Sequence, residues 1–410
     1  MAIKGADLIH IGNQVLVDRA QTAGPGTVNI NVEKVYELGN YKCVGQVRDI
    51  PDLSFSVESL DVSAQFEALL LNDDYATAPL GTEYDLAKSL PLDVVSQFKP
   101  GVSAASPFVV VGSVAVPFLV LESANYKYGV TDKATQTFNL KGDSIFYAPG
   151  GGVIELADGT NTDDQAIVLA HPAYLYAGDH VAGDRYVLSM SNATTGARLR
   201  PGSDYTEVAV GPGDSKTVTV TVRNKVPVDE KIRVTYSTSD TVTYDQSVHA
   251  LASATRPTAI KGRDIEVMIG GHTITDRWSM VQNASVDWKV TLDKDYEFGN
   301  QQAVSQDFFV PEVTGNVEIK PRNYAELYQR ILEVTDTVDK QIAGALTSAP
   351  MEMTIKLHSP ETGATLKTLF VPDARFTVPS YQGRVQAKTT VTFNFDSDSG
   401  SLLVYKGDKP

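Results

Sequence analysis

Residues that could do chemistry are few, and the nearest candidates lie in the middle of the chain. His171, Asp179, His180 and Asp184 are close enough in sequence to suggest nitrogen and oxygen ligands for a metal ion. Their spacing matches no established metal motif, and loop positions between short strands explain them equally well. Pro149-Gly150-Gly151-Gly152 is glycine-rich but lacks the following Gly-Lys-Ser/Thr of a phosphate loop, so it reads as a flexible hinge. Asn192-Ala193-Thr194 has the form of a glycosylation acceptor and reads as a turn. The sequence contains no Gly-x-Ser-x-Gly elbow and no His-Glu-x-x-His helix. Its single cysteine, Cys43, excludes an intrachain disulfide and a thiolate metal cluster. The expectation is a protein without catalytic activity, cofactor or metal, whose function lies in its architecture.

Composition narrows the class. A chain of 410 residues fits two or three domains, and 42% apolar with 21% charged residues is ordinary for a chain that buries a core. The formal net charge of -15 argues against an electrostatic clamp on nucleic-acid phosphates, although nucleic acid could be repelled and passed along. Met1 to Gly5 lacks the pattern of a secretory signal, and the apolar run at Phe108-Val109-Val110-Val111 is interrupted by Gly112, Ser113 and Pro117 before it could span a bilayer. A protein made and folded in a reducing cytoplasm is expected.

The strongest signal is an internal repeat. Glu37-Leu38-Gly39-Asn40 returns as Glu297-Phe298-Gly299-Asn300, and Pro51, Val57 and Glu58 return as Pro311, Val317 and Glu318, all displaced by about 260 residues. Ala2-Ile3-Lys4-Gly5 returns as Ala259-Ile260-Lys261-Gly262, and Gln136 to Leu140 echoes Val391 to Phe395 as a closing strand. Each copy also has one helical stripe: Val62, Phe66, Leu69 and Leu70 in the first, and Tyr324, Tyr328, Ile331 and Leu332 in the second. Asp61 and Asn323 stand where an N-cap would, and Glu326 completes a capping box with Asn323.

Between the copies, Tyr186 to Met190, Thr217 to Val222 and Ile232 to Tyr236 read as short strands of a sandwich. The fold expected is mainly β, α+β in detail. Residues 1–148 and 255–410 form two homologous β-sandwich domains with one flanking helix each, and residues 149–254 form a small immunoglobulin-like β-sandwich.

These features resemble the major tail tube proteins of long-tailed bacterial viruses. The likeness rests on the Glu-Leu-Gly-Asn stretch leading into a loop, the return strand Val47-Arg48-Asp49-Ile50-Pro51, the capped helix and the Phe-Asn closing strand. Gly202 to Thr206, followed by alternating Thr and Val, resembles add-on sandwiches of phage structural proteins. The resemblance implies a virion protein assembled in the host cytoplasm, whose sheets join into a barrel around a channel and whose rings stack into a tail tube. Two domains per chain imply homotrimeric, pseudo-hexameric rings. The partners implied are other copies of the chain, the tape measure, terminator and distal tail proteins, and DNA that passes through without tight binding; no membrane is involved.

Each copy is net acidic, about -7 for residues 1–148 and about -3 for residues 255–410, so carboxylates lining the channel are expected to repel phosphates. Gly39, Asn40, Tyr41, Lys42, Arg48 and Asp49 in the first copy, with Gly299, Asn300, Gln301 and Gln302 in the second, are the expected contacts between rings; tight turns are the plainer reading of the Gly-Asn pairs. Another ring-forming tail component, a terminator or baseplate hub, remains an alternative reading. So does a surface adhesin using the middle sandwich to bind carbohydrate.

Overall fold

The computed structural model describes residues 8–11, 14–15, 20–29, 32–35, 45–48, 52–98, 112–175, 185–211, 215–238, 259–273, 279–295, 305–321, 350–377, 380–382 and 390–410. Over these residues the chain is mainly β, in antiparallel ladders, with one short α-helix.

The first part runs β1 (Leu8–Ile11), β2 (Gln14–Val15), β3 (Ala20–Asn29), β4 (Val32–Val35), β5 (Gly45–Arg48) and β6 (Asp52–Leu60). Helix α1 (Gln65–Leu70) is followed by β7 (Glu83–Asp85), β8 (Leu92–Phe98), β9 (Gly112–Gly129), β10 (Thr135–Gly142) and β11 (Phe146–Pro149). The middle holds β12 (Gly151–Asp158), β13 (Gln165–Val168), β14 (Ala173–Tyr174), β15 (Val187–Asn192), β16 (Tyr205–Val210), β17 (Ser215–Val222) and β18 (Lys231–Thr238). The last part begins with β19 (Ile265–Ile269), β20 (His272–Thr273), β21 (Ser279–Lys289), β22 (Leu292–Asp295), β23 (Ser305–Phe308) and β24 (Glu312–Pro321). It ends with β25 (Met351–His358), β26 (Thr365–Phe376), β27 (Ser380–Gln382), β28 (Thr390–Ser397) and β29 (Leu403–Lys406).

The last part repeats the first ladder by ladder. The β1–β2 hairpin sets Ile11 opposite Gln14, and β19–β20 sets Ile269 opposite His272. Strand β8 covers β1 as β25 covers β19, and β10 joins β6 as β28 joins β24. Even the irregularities recur. The β8–β9 register slips between the pairs Leu92/Leu119 and Val94/Val116, and β25–β26 slips between Met351/Ala374 and Met353/Val371. Pro117 and Pro372 fall inside these two slips. A proline cannot donate to a ladder, so within a strand it is tolerated at a bulge, where the strand bends. Strand β9 uses its bend to change partners, pairing with β8 and β11 before it and with β10 beyond it. Phe118, at the bend, takes a left-handed φ of 54°, and its N–H donates to Asp93 Oδ1 at 2.9 Å.

Alternation places Leu53, Phe55 and Val57 of β6 and Phe138 and Leu140 of β10 in the core, where Phe66 of α1 stacks on Phe138 with ring centroids 4.1 Å apart. One contiguous core takes residues from both copies, so they pack as a fused body. Two further links tie them. Strand β29 pairs with β26 and with β7, using a stretch that is longer in the first copy, and Lys406 Nζ donates to the carbonyls of Tyr75 and Ala78. The middle strands have their own core. Val218, Val220 and Val222 from one face of β17 meet Ile232, Val234 and Tyr236 of β18, and β14 joins the two groups of strands.

Two expectations are corrected. Asp61 does not cap the helix: Ala64 is the N-cap residue and its side chain makes no cap bond, α1 starts only at Gln65, and Val62 precedes it. Asp61 is instead fully buried and paired with Lys367 across the two copies at 2.8 Å. The counterpart stripe at Tyr324 to Leu332, with Asn323 and Glu326, lies outside the described residues.

The glycine tract is not a hinge. Gly151 and Gly152 open β12, and Gln97 holds Gly152 by both its N–H and its carbonyl. Gly150 has φ +80°, and a Cβ there would lie 2.3 Å from the Thr238 carbonyl oxygen. These glycines allow two backbones to approach closely. Gly150→Ala is expected to destabilise the protein by about 1–3 kcal/mol, the range for strained backbone, as read by a shift in denaturation midpoint. A flexible linker would tolerate the change.

The insert is docked on the first copy through buried polar contacts. Arg233 Nη1 donates to the Pro91 carbonyl at 2.7 Å, Arg198 pairs with Asp143 at 2.8 Å, and Thr235 Oγ1 donates to Asp93 Oδ2.

Candidate assembly interface

The two copies meet edge to edge. Strand β9 of the first pairs with β21 of the second, from Gly129 opposite Asn283 to Ser123 opposite Lys289. One sheet therefore runs β3–β6–β10–β9 through the first copy and β21–β24–β28–β27 through the second. Within the duplication β21 is the counterpart of β3, and β27 is the counterpart of the far end of β9: Gln382 faces Thr390 as Lys127 faces Thr135. Among the described ladders, β3 pairs only with β6, and β27 only with β28. The sheet thus ends on one strand of each type that meets at the seam.

The seam explains the repeated Ala-Ile-Lys-Gly motif. Ile260 is buried, its carbonyl accepts from Ala134 N–H at 3.0 Å, and Lys261 bridges to Lys133. A Cβ on Gly262 would sit 2.5 Å from Val130 Cα, so the turn after β9 needs glycine there to close against the second copy. The first-copy motif, Ala2 to Gly5, lies outside the described residues.

One face of the sheet covers the core and the other is open. Rows of small polar residues cross the open face without a break at the seam. Glu58, Thr137, Asn125, Asp287, Thr314 and Asp396 stand side by side on six strands. Asn139 donates to Ser123 and accepts from Ser56, and Asn316 donates to Ser285, each at 2.9 Å. Lys127, Lys141, Lys289, Lys320 and Arg375 share this face with the carboxylates of Glu58, Glu122, Asp287, Glu312, Glu318 and Asp396. Among these described residues the carboxylates outnumber the cations by one. Half-burial pushes the Asp287 carboxyl above the usual range, with Lys127 opposing.

In sequence, the predicted contact residues fall between or beside the strands of two matching ladders. Strands β4 and β5 pair as a separate two-stranded sheet, Val32 opposite Arg48 and Val35 opposite Gly45. Strands β22 and β23 do the same, Leu292 opposite Phe308 and Asp295 opposite Ser305, at a constant offset of about 260 residues. Arg48 ends β5; Gly39, Asn40, Tyr41, Lys42, Asp49, Gly299, Asn300, Gln301 and Gln302 lie outside the described residues, as does Cys43. At the base of the second ladder Phe309 and Val310 are exposed, at 56% and 77%.

His171 is half-buried, its backbone N–H donating to Tyr236 Oη at 3.2 Å, while Asp179, His180 and Asp184 lie outside the described residues. Among the described residues no group of three His, Cys, Asp or Glu side chains is placed to hold a metal ion. Sequence reasoning missed the sheet edges and the burial of Asp61. The duplicated Val-Pro pairs, Val116-Pro117 and Val371-Pro372, were the available signal for bent strands.

No family model and no curated protein matches this chain. Among solved structures it is similar to Hcp1 from Flavobacterium johnsoniae, at 12% identity and a TM-score of 0.20, over 33% of this chain and 96% of that one. A likeness that weak bears on neither fold nor function.

Proposed function

We propose that this chain is a structural subunit that closes into rings by repeating its internal seam between molecules, and that the rings stack into a virus tail tube. The observation that supports this best is the β9–β21 ladder, together with β3 and β27 at the two ends of the sheet, each with one ladder partner among the described residues. An unpaired strand edge is a template for further pairing, and a ring removes it. Contacts between different surfaces are head-to-tail, and such contacts close when the rotation permits. Three chains supply six repeats, the pseudo-hexamer implied by the resemblance above.

The open polar face then lines the channel. A lining of Ser, Thr and Asn with a slight excess of carboxylates offers phosphates no clamp and only a weak barrier, which suits DNA in transit. The arms β4–β5 and β22–β23, with the residues between their strands, bridge stacked rings. The domain division at 148/149 and 254/255, the tape measure, terminator and distal tail partners, and a location in the virion tail after assembly in the host cytoplasm belong to the same reading. So does the lack of enzymatic activity.

Negative-stain microscopy of the purified protein tests it, and long hollow tubes are the expected result. Isolated rings that never stack would point to a terminator or hub, and stable monomers would sink the proposal. Shortening residues 41–49 should leave rings intact and stop stacking. Tubes built from the shortened chain would remove the arms from the interface.

A further inference from the structure

Where the two copies meet, Lys367 of β26 directs its ammonium at two carboxylates of the first copy. Nζ lies 2.8 Å from Asp61 Oδ1 and 2.5 Å from Glu67 Oε1, and also donates to Gln136 Oε1 at 2.9 Å. All three charged side chains have no exposure to solvent. Their surroundings are aromatic: Nζ sits 4.7 Å from the centre of the Tyr126 ring, which meets Phe138 edge-on at 6.0 Å. Tyr128 Oη donates to Asp61 Oδ2 at 2.6 Å, and Tyr126 Oη donates to Glu67 Oε1 at 2.9 Å. Glu67 Oε2 is buried with no hydrogen-bond partner.

We propose that Lys367 and Asp61 condense into an isopeptide bond that staples the two copies together, with Glu67 shuttling the protons. An amine, a carboxyl and a second carboxyl held in contact and shielded from bulk solvent satisfy the demands of amide formation. Fixed contact replaces a bimolecular encounter, which is the main obstacle in solution. Two carboxylates facing one ammonium leave the buried cluster with an unbalanced charge, which favours keeping one carboxyl protonated. Glu67 Oε2, buried without a hydrogen-bond partner, is a place for this proton, and burial pushes the Glu67 carboxyl up against the opposing Lys367 charge.

Burial alone favours the neutral amine, but Asp61 and Glu67 outweigh it and raise the Lys367 pKa. The ion pair is therefore the resting form, and the reactive form has moved one proton from Nζ to the Asp61 carboxylate. Nζ then attacks Asp61 Cγ, forming the N–C bond as the C=O π bond opens. The Tyr128 hydroxyl at Oδ2 stabilises the developing oxyanion. Glu67 gives its proton to the departing Oδ1 hydroxyl, which leaves as water, and takes one from the nitrogen as the carbonyl re-forms. Glu67 ends as it began, and no oxidant or other reactant is consumed.

Mass spectrometry of the denatured full chain tests the bond, read on fresh and on stored protein. The expected mass is one water below that of the sequence. Tandem spectra of a digest should then contain a branched peptide joining residues 61 and 367. Glu67→Gln keeps the side-chain volume and should give a folded protein, by circular dichroism, of unreduced mass. Full mass in the stored wild type, or a lost water that maps elsewhere, overturns the proposal whether or not the variant folds. A fully linked Glu67→Gln protein would overturn the role given to Glu67.

Discussion

Replacing Lys367 with methionine is expected to lower stability by about 3–5 kcal/mol at neutral pH, the cost of leaving a buried charge without its partner. Methionine roughly matches the lysine stem in length, so lost packing contributes little. What remains is Asp61 and Glu67 facing each other with no cation; the comparison is with wild type in its ion-paired form, before the proposed condensation. The deficit should vary with pH. A carboxyl whose folded-state pKa is raised contributes stability that is fully present below its unfolded value and is lost as pH rises through the folded value. The Glu67 pKa is already raised by burial, although Lys367 opposes the shift. Removing the ammonium raises it further, so the deficit is smallest near pH 4 and grows toward pH 8, spanning the rise from the ordinary Glu value of about 4.3. Chemical denaturation at both ends of that range measures it, and an equal deficit at both would contradict the charge argument.

Oxidation of a chain carrying Gly24→Cys and Gln382→Cys, with Cys43→Ser to remove the native thiol, is expected to give covalently closed trimers. The internal seam supplies the register. Lys127 stands opposite Ser285, Lys127 corresponds to Gln382, and Ser285 corresponds to Gly24, through the matching ladders with β10 and β28 and with β6 and β24. Directly opposed residues on antiparallel strands have Cβ atoms about 4.5–5.5 Å apart, near enough for a disulfide after slight adjustment. A slip of one residue turns every side chain to the other face, so pairing Gly24→Cys with Tyr381→Cys should link poorly. Denaturing electrophoresis without reductant reads both. Rings that assemble but yield only single chains would show that the molecules do not reuse the internal seam.

The duplication was legible because the tetrapeptides mark matching positions in sequence, one between β4 and β5 and the other between β22 and β23, and in the second copy Gly262 meets a steric demand at the seam. The strands of the insert were legible by alternation, as Val218, Val220 and Val222 point to one core. Asp61 misled because an acidic residue just before a helical stripe is the common signature of a cap. Only tertiary structure brings Lys367 to it across 306 residues. The glycine tract misled for a related reason. Composition reports that Gly150 to Gly152 could bend, and only the approach of Thr238 and Gln97 decides that they do not.

The pairing of early residues with late ones sets an order of events during synthesis. Asp61 and Glu67 both wait for Lys367, 306 and 300 residues further on. At roughly 5–20 residues per second, the first copy spends on the order of tens of seconds with two carboxylates unpaired where its core should close. During that interval burying them is unfavourable, so the first copy cannot complete its fold, and the β9 edge has no internal partner. Completion of the core thus depends on translation of the second copy. That timing keeps nascent chains from offering finished edges to one another on crowded ribosomes, and it makes the whole subunit, not the repeat, the unit that enters assembly.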